Sequence, residues 1–362
     1  MATTAVTRTR SEIEVNGRRV RGVLRARAPL RISFAGGGTD MPTYYAEHPG
    51  AVLASTINRY SYVCVRPCAD QRSVTLSSLD FDLHVNYRLD EKPVYDGVLD
   101  LAKAAIRRLI PAEAPWGIEV FVQSDAPAGS GLGGSSSLTL AMIGSLTGLL
   151  GARLDRYELA ELAYQIERVD LGMKGGKQDQ YGIGFGGFNF IEFTREQIVV
   201  HPLRLEPDVL TDLECHLLLC YTGRTRLSAG LIDRQERYFQ ARRAETLDSL
   251  KALYRICTQM KNALLRGRLY EFAELLNEEW RHKVRANPEV TNPAIDQMYE
   301  VARRSGVIGG KLLGAGAGGY LLLFCEVNRK RRVHRELEKL GGQFLNFSFV
   351  NEGLVVWPSE CP

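Results

Sequence analysis

The sequence predicts a two-domain α+β protein, and three observations lead there. Its 362 residues, 45% hydrophobic and 24% charged, suffice for two ordinary cores. Up to about residue 205, short apolar and β-branched runs alternate with turn-rich segments and helical patterns; beyond it, long amphipathic helical patterns dominate. We therefore read residues 1–22 as a short N-terminal extension, mobile at the chain end, 23–205 as the first domain and 206–362 as the second.

Taken in order, residues 30–35, 51–57, 60–65 and 118–122 are strand candidates, being apolar and β-branched between turn signals. Leu138, Met142, Ser145, Leu146 and Leu149 recur at helical spacing over 135–150, directly after a glycine-rich turn. The next helix is marked by Asp155 and Glu158 as a capping box, with Leu159, Leu162, Ala163, Ile166 and Val169 as its apolar face and Gly172 as its end. Residues 233–285 read as two amphipathic helices broken near Gly267, and another begins at Asn292 with Pro293 in its first turn. A strand-like run over 320–327, a basic helix over 329–340 and a final strand pair close the chain.

Composition narrows the function classes. With 46 basic against 42 acidic side chains, net +4, no single-sign field suits a nucleic-acid binder. The basic run 329–332 reads as the solvated start of a helix. Seven scattered cysteines show no paired CxxC spacing, which fits a reduced cytoplasm, and no stretch approaches the ~18 apolar residues of a membrane span. The opening residues lack the apolar centre of a secretory signal, so the expectation is a cytoplasmic protein acting on small molecules, without a nucleic-acid or membrane partner.

Three glycine-rich loops carry the chemistry. The first, PLRISFAGGGTD at 29–40, lets backbone and ligand approach closely, and Arg31 and Asp40 supply a cationic donor and an acceptor; alone it also reads as a tight turn after a strand. The second, PAGSGLGGSSS at 127–137, lies between a strand-like segment and a helix. Successive amides there form an anion cradle favoured by the helix dipole, and Ser135 or Ser136 could reach a metal. The third, KLLGAGAGG at 311–319, matches GxGxxG at Gly314, Gly316 and Gly319, but an apolar strand follows where a dinucleotide fold needs a helix. Neither a GxxxxGK[ST] loop nor the protein-kinase signatures occur, which removes the two commonest phosphoryl-transfer scaffolds.

In this order and spacing the three loops resemble the motifs of the GHMP kinase superfamily, over most of the chain from about Arg25. AGGGTD, GKQDQYG at 176–182 and YTGRTRLS at 221–228 look like the D-glycero-D-manno-heptose 7-phosphate kinases within it. Galactokinases would show a Glu-His pair where this chain has Gly37 and Gly38, which counts against galactose; fucokinase-like proteins share a similar first motif. The resemblance implies an N-terminal domain like ribosomal protein S5 domain 2, a ferredoxin-like C-terminal domain, and ATP and sugar between them.

The same resemblance implies roles. Asp179 would face the acceptor hydroxyl as general base or orienting acceptor, with Arg31 or Lys177 stabilising the transferred phosphoryl group. Gly129, Ser130, Gly131, Leu132, Gly133, Gly134, Ser135 and Ser136 would hold the ATP phosphates, and Ser135 with Glu167 would hold Mg2+. Gly37, Gly38, Thr39, Asp40, Thr222, Gly223, Lys311, Gly314 and Gly316 would bind substrate. Arg224 and Arg226 are first choices to anchor a phosphate on the sugar, because arginine's planar fork suits bidentate contact. The implied reaction is phosphorylation of the C1 hydroxyl of a heptose 7-phosphate by a monomer or homodimer. The alternatives are a kinase of another sugar such as fucose, and a silent sugar- and ATP-binding regulator.

Overall fold

The computed structural model describes residues 13–15, 17–20, 22–69, 72–223 and 229–359. The chain opens with a hairpin, β1 (Ile13–Val15) and β2 (Arg18–Val20), then β3 (Val23–Ala35), one helical turn α1 (Pro42–Tyr45), β4 (Gly50–Cys68), β5 (Ser73–Ser78), β6 (Leu83–Arg88), α2 (Asp100–Leu109) and β7 (Gly117–Ser124). There follow α3 (Gly134–Leu150), α4 (Arg156–Tyr164) running into a π-helical turn at Gln165–Asp170, α5 (Gln178–Phe185), β8 (Phe188–Phe193) and β9 (Ile198–Pro202). The second half contains α6 (Pro207–His216), β10 (Leu217–Tyr221), α7 (Ala229–Gln240), α8 (Ala244–Leu265), α9 (Leu269–Ala286), α10 (Pro293–Ser305), β11 (Val307–Leu312), β12 (Tyr320–Cys325), α11 (Lys330–Glu338), β13 (Gln343–Leu345) and β14 (Val355–Ser359).

The larger sheet runs β14-β3-β4-β7-β5-β6, with β8 added beside β4 and β9 beside β8. The runs 51–57 and 60–65 are one strand: β4 pairs with β3 along most of its length, with β7 through residues 61–68 and with β8 through residues 50–55. The smaller sheet has the order β13-β10-β12-β11, all antiparallel, reached by strand, helices, two strands, helix, strand. That connectivity is the ferredoxin-like one expected.

Two sequence expectations change here. The final strands are not a pair, since β13 joins β10 while β14 pairs with β3, so a cut at 205/206 leaves the last strand on the sheet of the first half. The segment 1–22 is not merely an extension: Ile13 and Val15 are buried in the first core, while residues 1–12 lie outside the described ones.

Two main cores explain how the site is held. The first packs α2 and α3 on the larger sheet through Val63, Val65, Ile106, Val120, Ile143 and Leu146. Helix α3 is apolar nearly all round and correspondingly buried. The second joins Leu30, Ile32 and Phe34 of β3 to Ile256, Met260, Phe272 and Leu276 of α8 and α9 and to Leu219 and Leu322 of the smaller sheet. Because side chains alternate along a strand, the intervening positions Arg31 and Ser33 face the other way, toward α5. The strand thus spans both halves and presents a cation between them.

Candidate active site

The glycine-rich turn after β7 leads into α3 without a side-chain cap. Gly133, at φ +76°, is the N-cap, and no acidic residue occupies the first turn. Helix α4 shows what is missing: Asp155 accepts from the amides of Tyr157 and Glu158, and Glu158 reaches back to the Asp155 amide. First-turn amides have no partner inside a helix, so the start of α3 presents donors and the positive dipole end to an anion.

The third loop is built onto this turn, backbone against backbone. A Cβ on Gly131 (φ +81°) would lie 2.6 Å from the Leu313 carbonyl oxygen, and one on Gly314 (φ +69°) 2.5 Å from the Gly131 Cα. The Tyr320 amide closes the contact on the Ser130 carbonyl at 3.1 Å. We expect Gly314→Ala to destabilise the fold by over ~1 kcal/mol in a urea titration, because its methyl would meet the Gly131 backbone. Gly134→Ala, where a Cβ meets nothing within 4 Å, should stay within ~0.5 kcal/mol in the same denaturant titration.

Arg31 links this turn to the acidic residue across the cleft. It is 2% exposed. Its Nε and Nη2 both reach Asp179 Oδ1, at 2.7 and 2.6 Å, and its Nη1 donates to the Gly131 carbonyl at 2.7 Å. Both carboxylate contacts fall on one oxygen, so Arg31 does not engage the other. Asp179 stands in the first turn of α5 with its side chain 22% exposed.

Asp40 orients that helix. Its Oδ1 accepts from the Gly38 amide at 2.9 Å and its Oδ2 from the Gln178 amide at 3.0 Å, so the first loop caps α5 from outside. Burial raises the Asp40 pKa, the Gln178 and Gly38 amides oppose that, and the charge of Asp179 adds to it. Gly176 is required beside it, since a Cβ would lie 2.0 Å from Asp40 Oδ2. Asp40 therefore lines the cleft as expected, but both its oxygens are already bonded to backbone.

Glu167 and the serines are arranged differently from the expected pair. The π-helical turn breaks the 3.6-residue repeat after Tyr164, so Val169, expected on the apolar face, is 61% exposed while Glu167 is 0% exposed. Glu167 Oε2 accepts from Ser136 Oγ at 3.0 Å and Gln180 Nε2 at 2.9 Å, with Arg168 Nη2 at 3.3 Å. Its Oε1 is buried without a hydrogen bond, and burial raises its pKa. Ser135, the expected partner, lies exposed on the cleft wall because the helix turns it toward solvent.

A cleft of about 630 Å³ collects Arg31, Gly37, Gly38, Asp40, Gly129, Ser130, Gly131, Gly133, Gly134, Ser135, Ser136, Asp179, Gly314 and Gly316. Other expected residues stand elsewhere. Lys177 turns its ammonium to Glu161 Oε2 at 2.7 Å and over the Tyr164 ring, away from the cleft. Lys311, 2% exposed, is paired with Glu279 at 2.9 Å and donates to the Phe34 carbonyl, bracing the first loop from beneath. Thr39 is buried, fastening its loop to Gly36 and Ala51, and Thr222 is fastened to the Gly319 carbonyl. Leu132 is buried in the second core, and Gly223 is an exposed turn residue at φ +72°. Glu167 lies behind Ser136, outside the lining. Arg224 and Arg226 fall outside the described residues.

The sequence reading missed Lys283 of α9, which also lines the cleft, and Glu279 one turn before it. Only the helical pattern marks them, with no motif. Among the described residues no helix is long and apolar enough to cross a membrane.

Residues 100–187 match the model of the GHMP kinases N terminal domain, and residues 260–343 that of the GHMP kinases C terminal domain. The chain is 34% identical over 337 residues to D-glycero-alpha-D-manno-heptose 7-phosphate kinase of Campylobacter jejuni, covering 92% of this chain and 98% of that one. It superposes with a TM-score of 0.77 on the crystal structure of a D-glycero-D-manno-heptose 1-phosphate kinase from Bacteroides thetaiotaomicron, at 30% identity, covering 93% and 99% of the two chains. It is also 30% identical to L-fucokinase/L-fucose-1-P guanylyltransferase of Bacteroides fragilis, covering 83% of this chain and 34% of that longer protein.

Proposed function

Because the chain belongs to the GHMP kinase family, we propose that it transfers the γ-phosphate of ATP to the anomeric C1 hydroxyl of a heptose 7-phosphate, giving ADP and the 1,7-bisphosphate. The observation that carries this reading is Arg31, whose guanidinium joins the Gly131 carbonyl of the phosphate loop to the Asp179 carboxylate.

The amides of Gly131 to Ser136 hold the nucleotide phosphates at the start of α3. Asp179 accepts the proton of the attacking hydroxyl as the new oxygen–phosphorus bond forms and the bond to the ADP oxygen breaks. Arg31 keeps the carboxylate in place and lends positive charge to the transferring group.

Mg2+ suits the neighbouring donors. The exposed Ser135 hydroxyl on the cleft wall would be a direct ligand, and Glu167, buried behind Ser136 with Oε1 unpartnered, would lend its carboxylate from outside the lining, a sparse set of the kind magnesium takes alongside phosphate oxygens and waters. Such an ion would neutralise phosphate charge. The relatives' names give the sugar phosphate at position 7 in one case and position 1 in the other, and the test below reads the position directly.

The test is ADP release over a panel of heptose, heptose 7-phosphate, heptose 1-phosphate and fucose, with product position read by phosphorus NMR. We expect turnover on heptose 7-phosphate and a new resonance coupled to the anomeric proton. Turnover confined to an unphosphorylated sugar, or a new phosphate elsewhere on the ring, would overturn the assignment.

A further inference from the structure

We propose that Lys283 is a phosphate-binding residue of the cleft, its ammonium pairing with the terminal phosphate of the bound nucleotide; this rests on the kinase reading above. The placement begins with α9, which puts Lys283 against the third loop. Its Nζ donates to the Leu312 carbonyl at 3.1 Å and the Gly314 carbonyl at 2.5 Å, leaving one of three ammonium donors over. Gly314 is the residue that packs on Gly131 of the phosphate loop, so the ammonium stands next to the anion cradle.

Each of the other cleft cations has a carboxylate beside it. Arg31 is held by Asp179, Arg168 lies 3.3 Å from Glu167, and Lys174 lies 3.9 Å from Asp233. Among the described residues, Lys283 has no carboxylate within ion-pair distance, only carbonyls. A cation aimed into a cleft with no anion of its own is a site for a ligand's charge.

Its surroundings make the pairing measurable. Burial pulls the Lys283 ammonium down to about 7, the positive charge of Lys311 on β11 acts in the same direction, Glu279 on its own helix opposes it, and Arg31 on β3 adds a smaller lowering. As pH rises through this range the free protein therefore gains neutral amine at Lys283. A bound phosphate favours the charged form, so binding draws in a proton at pH 8, and this uptake fades at pH 6 where the amine is already charged.

Isothermal titration calorimetry of the full chain, in buffers of different ionisation enthalpy, reads this directly. With β,γ-imido-ATP we expect net proton uptake at pH 8 that exceeds the uptake at pH 6. Lys283→Arg should bind with similar affinity and no uptake. Lys283→Met should show no uptake and roughly 10- to 100-fold weaker binding. Uptake unchanged in Lys283→Arg, or seen with heptose 7-phosphate and not with the nucleotide, would overturn the assignment; should Lys283→Met not fold, the arginine variant still decides. Nucleotide-linked uptake without turnover on any sugar would leave this inference standing and remove the proposed acceptor.

Discussion

Asp179→Asn is expected to lower kcat by ~10²- to 10⁴-fold while nucleotide affinity changes only a few-fold. The substitution keeps an oxygen where Asp179 Oδ1 now accepts from Arg31 Nε and Nη2, so the guanidinium and its bond to the Gly131 carbonyl stay in place. What disappears is the carboxylate proposed to take the proton of the attacking hydroxyl. Steady-state kinetics beside nucleotide titration separates the two effects. A variant with kcat within threefold of the parent would remove Asp179 from the chemistry.

Lys311→Met is expected to destabilise the fold by about 3–5 kcal/mol, a large part of the stability of a typical domain. Glu279 is 0% exposed, and its Oε1 rests on the Lys311 ammonium at 2.9 Å and the Gly36 amide at 3.2 Å. Its Oε2 is buried with no hydrogen bond, so removing the lysine strands a charge in the second core. Replacing both partners, Lys311→Met with Glu279→Leu, should recover much of the loss because neither buried charge remains. Urea unfolding of the single and double variants checks this; a single variant within 1 kcal/mol of the parent would show that the pair does not brace the first loop.

Lys311 and Lys177 mark the limit of what the sequence reveals. The glycine loops were legible because close backbone approach and positive φ demand glycine wherever they occur, as at Gly131 and Gly314. The uncapped start of α3 and the capping box of α4 were legible for the same reason, being local. Lys311 looked like a substrate ligand because its motif touches the site, whereas its partner Glu279 comes from α9, which no local pattern connects to β11. Lys177 was assigned to the site by its nearness to Asp179, yet neighbouring residues at the start of a helix point in different directions, and Glu161 lies on its side.

The buried Glu167 and exposed Val169 were illegible for a different reason. Sequence periodicity assumes 3.6 residues per turn, and the wider π-helical turn at Gln165–Asp170 breaks that assumption just before the residues in question. The return of β14 to pair with β3 is a tertiary choice, fixed by packing of Leu354 and Val356 near the small face of α3 at Gly144 and Gly148. Strand propensity alone does not specify a partner.

The measurement that bears most directly on the site is a crystal structure of the chain with β,γ-imido-ATP and heptose 7-phosphate. We expect the terminal phosphate against the amides of Gly131 to Ser136, with the sugar C1 oxygen at hydrogen-bonding distance from Asp179 and about 3–3.5 Å from the γ-phosphorus. A nucleotide bound away from the start of α3, or a sugar whose C1 oxygen lies beyond the reach of Asp179, would contradict it.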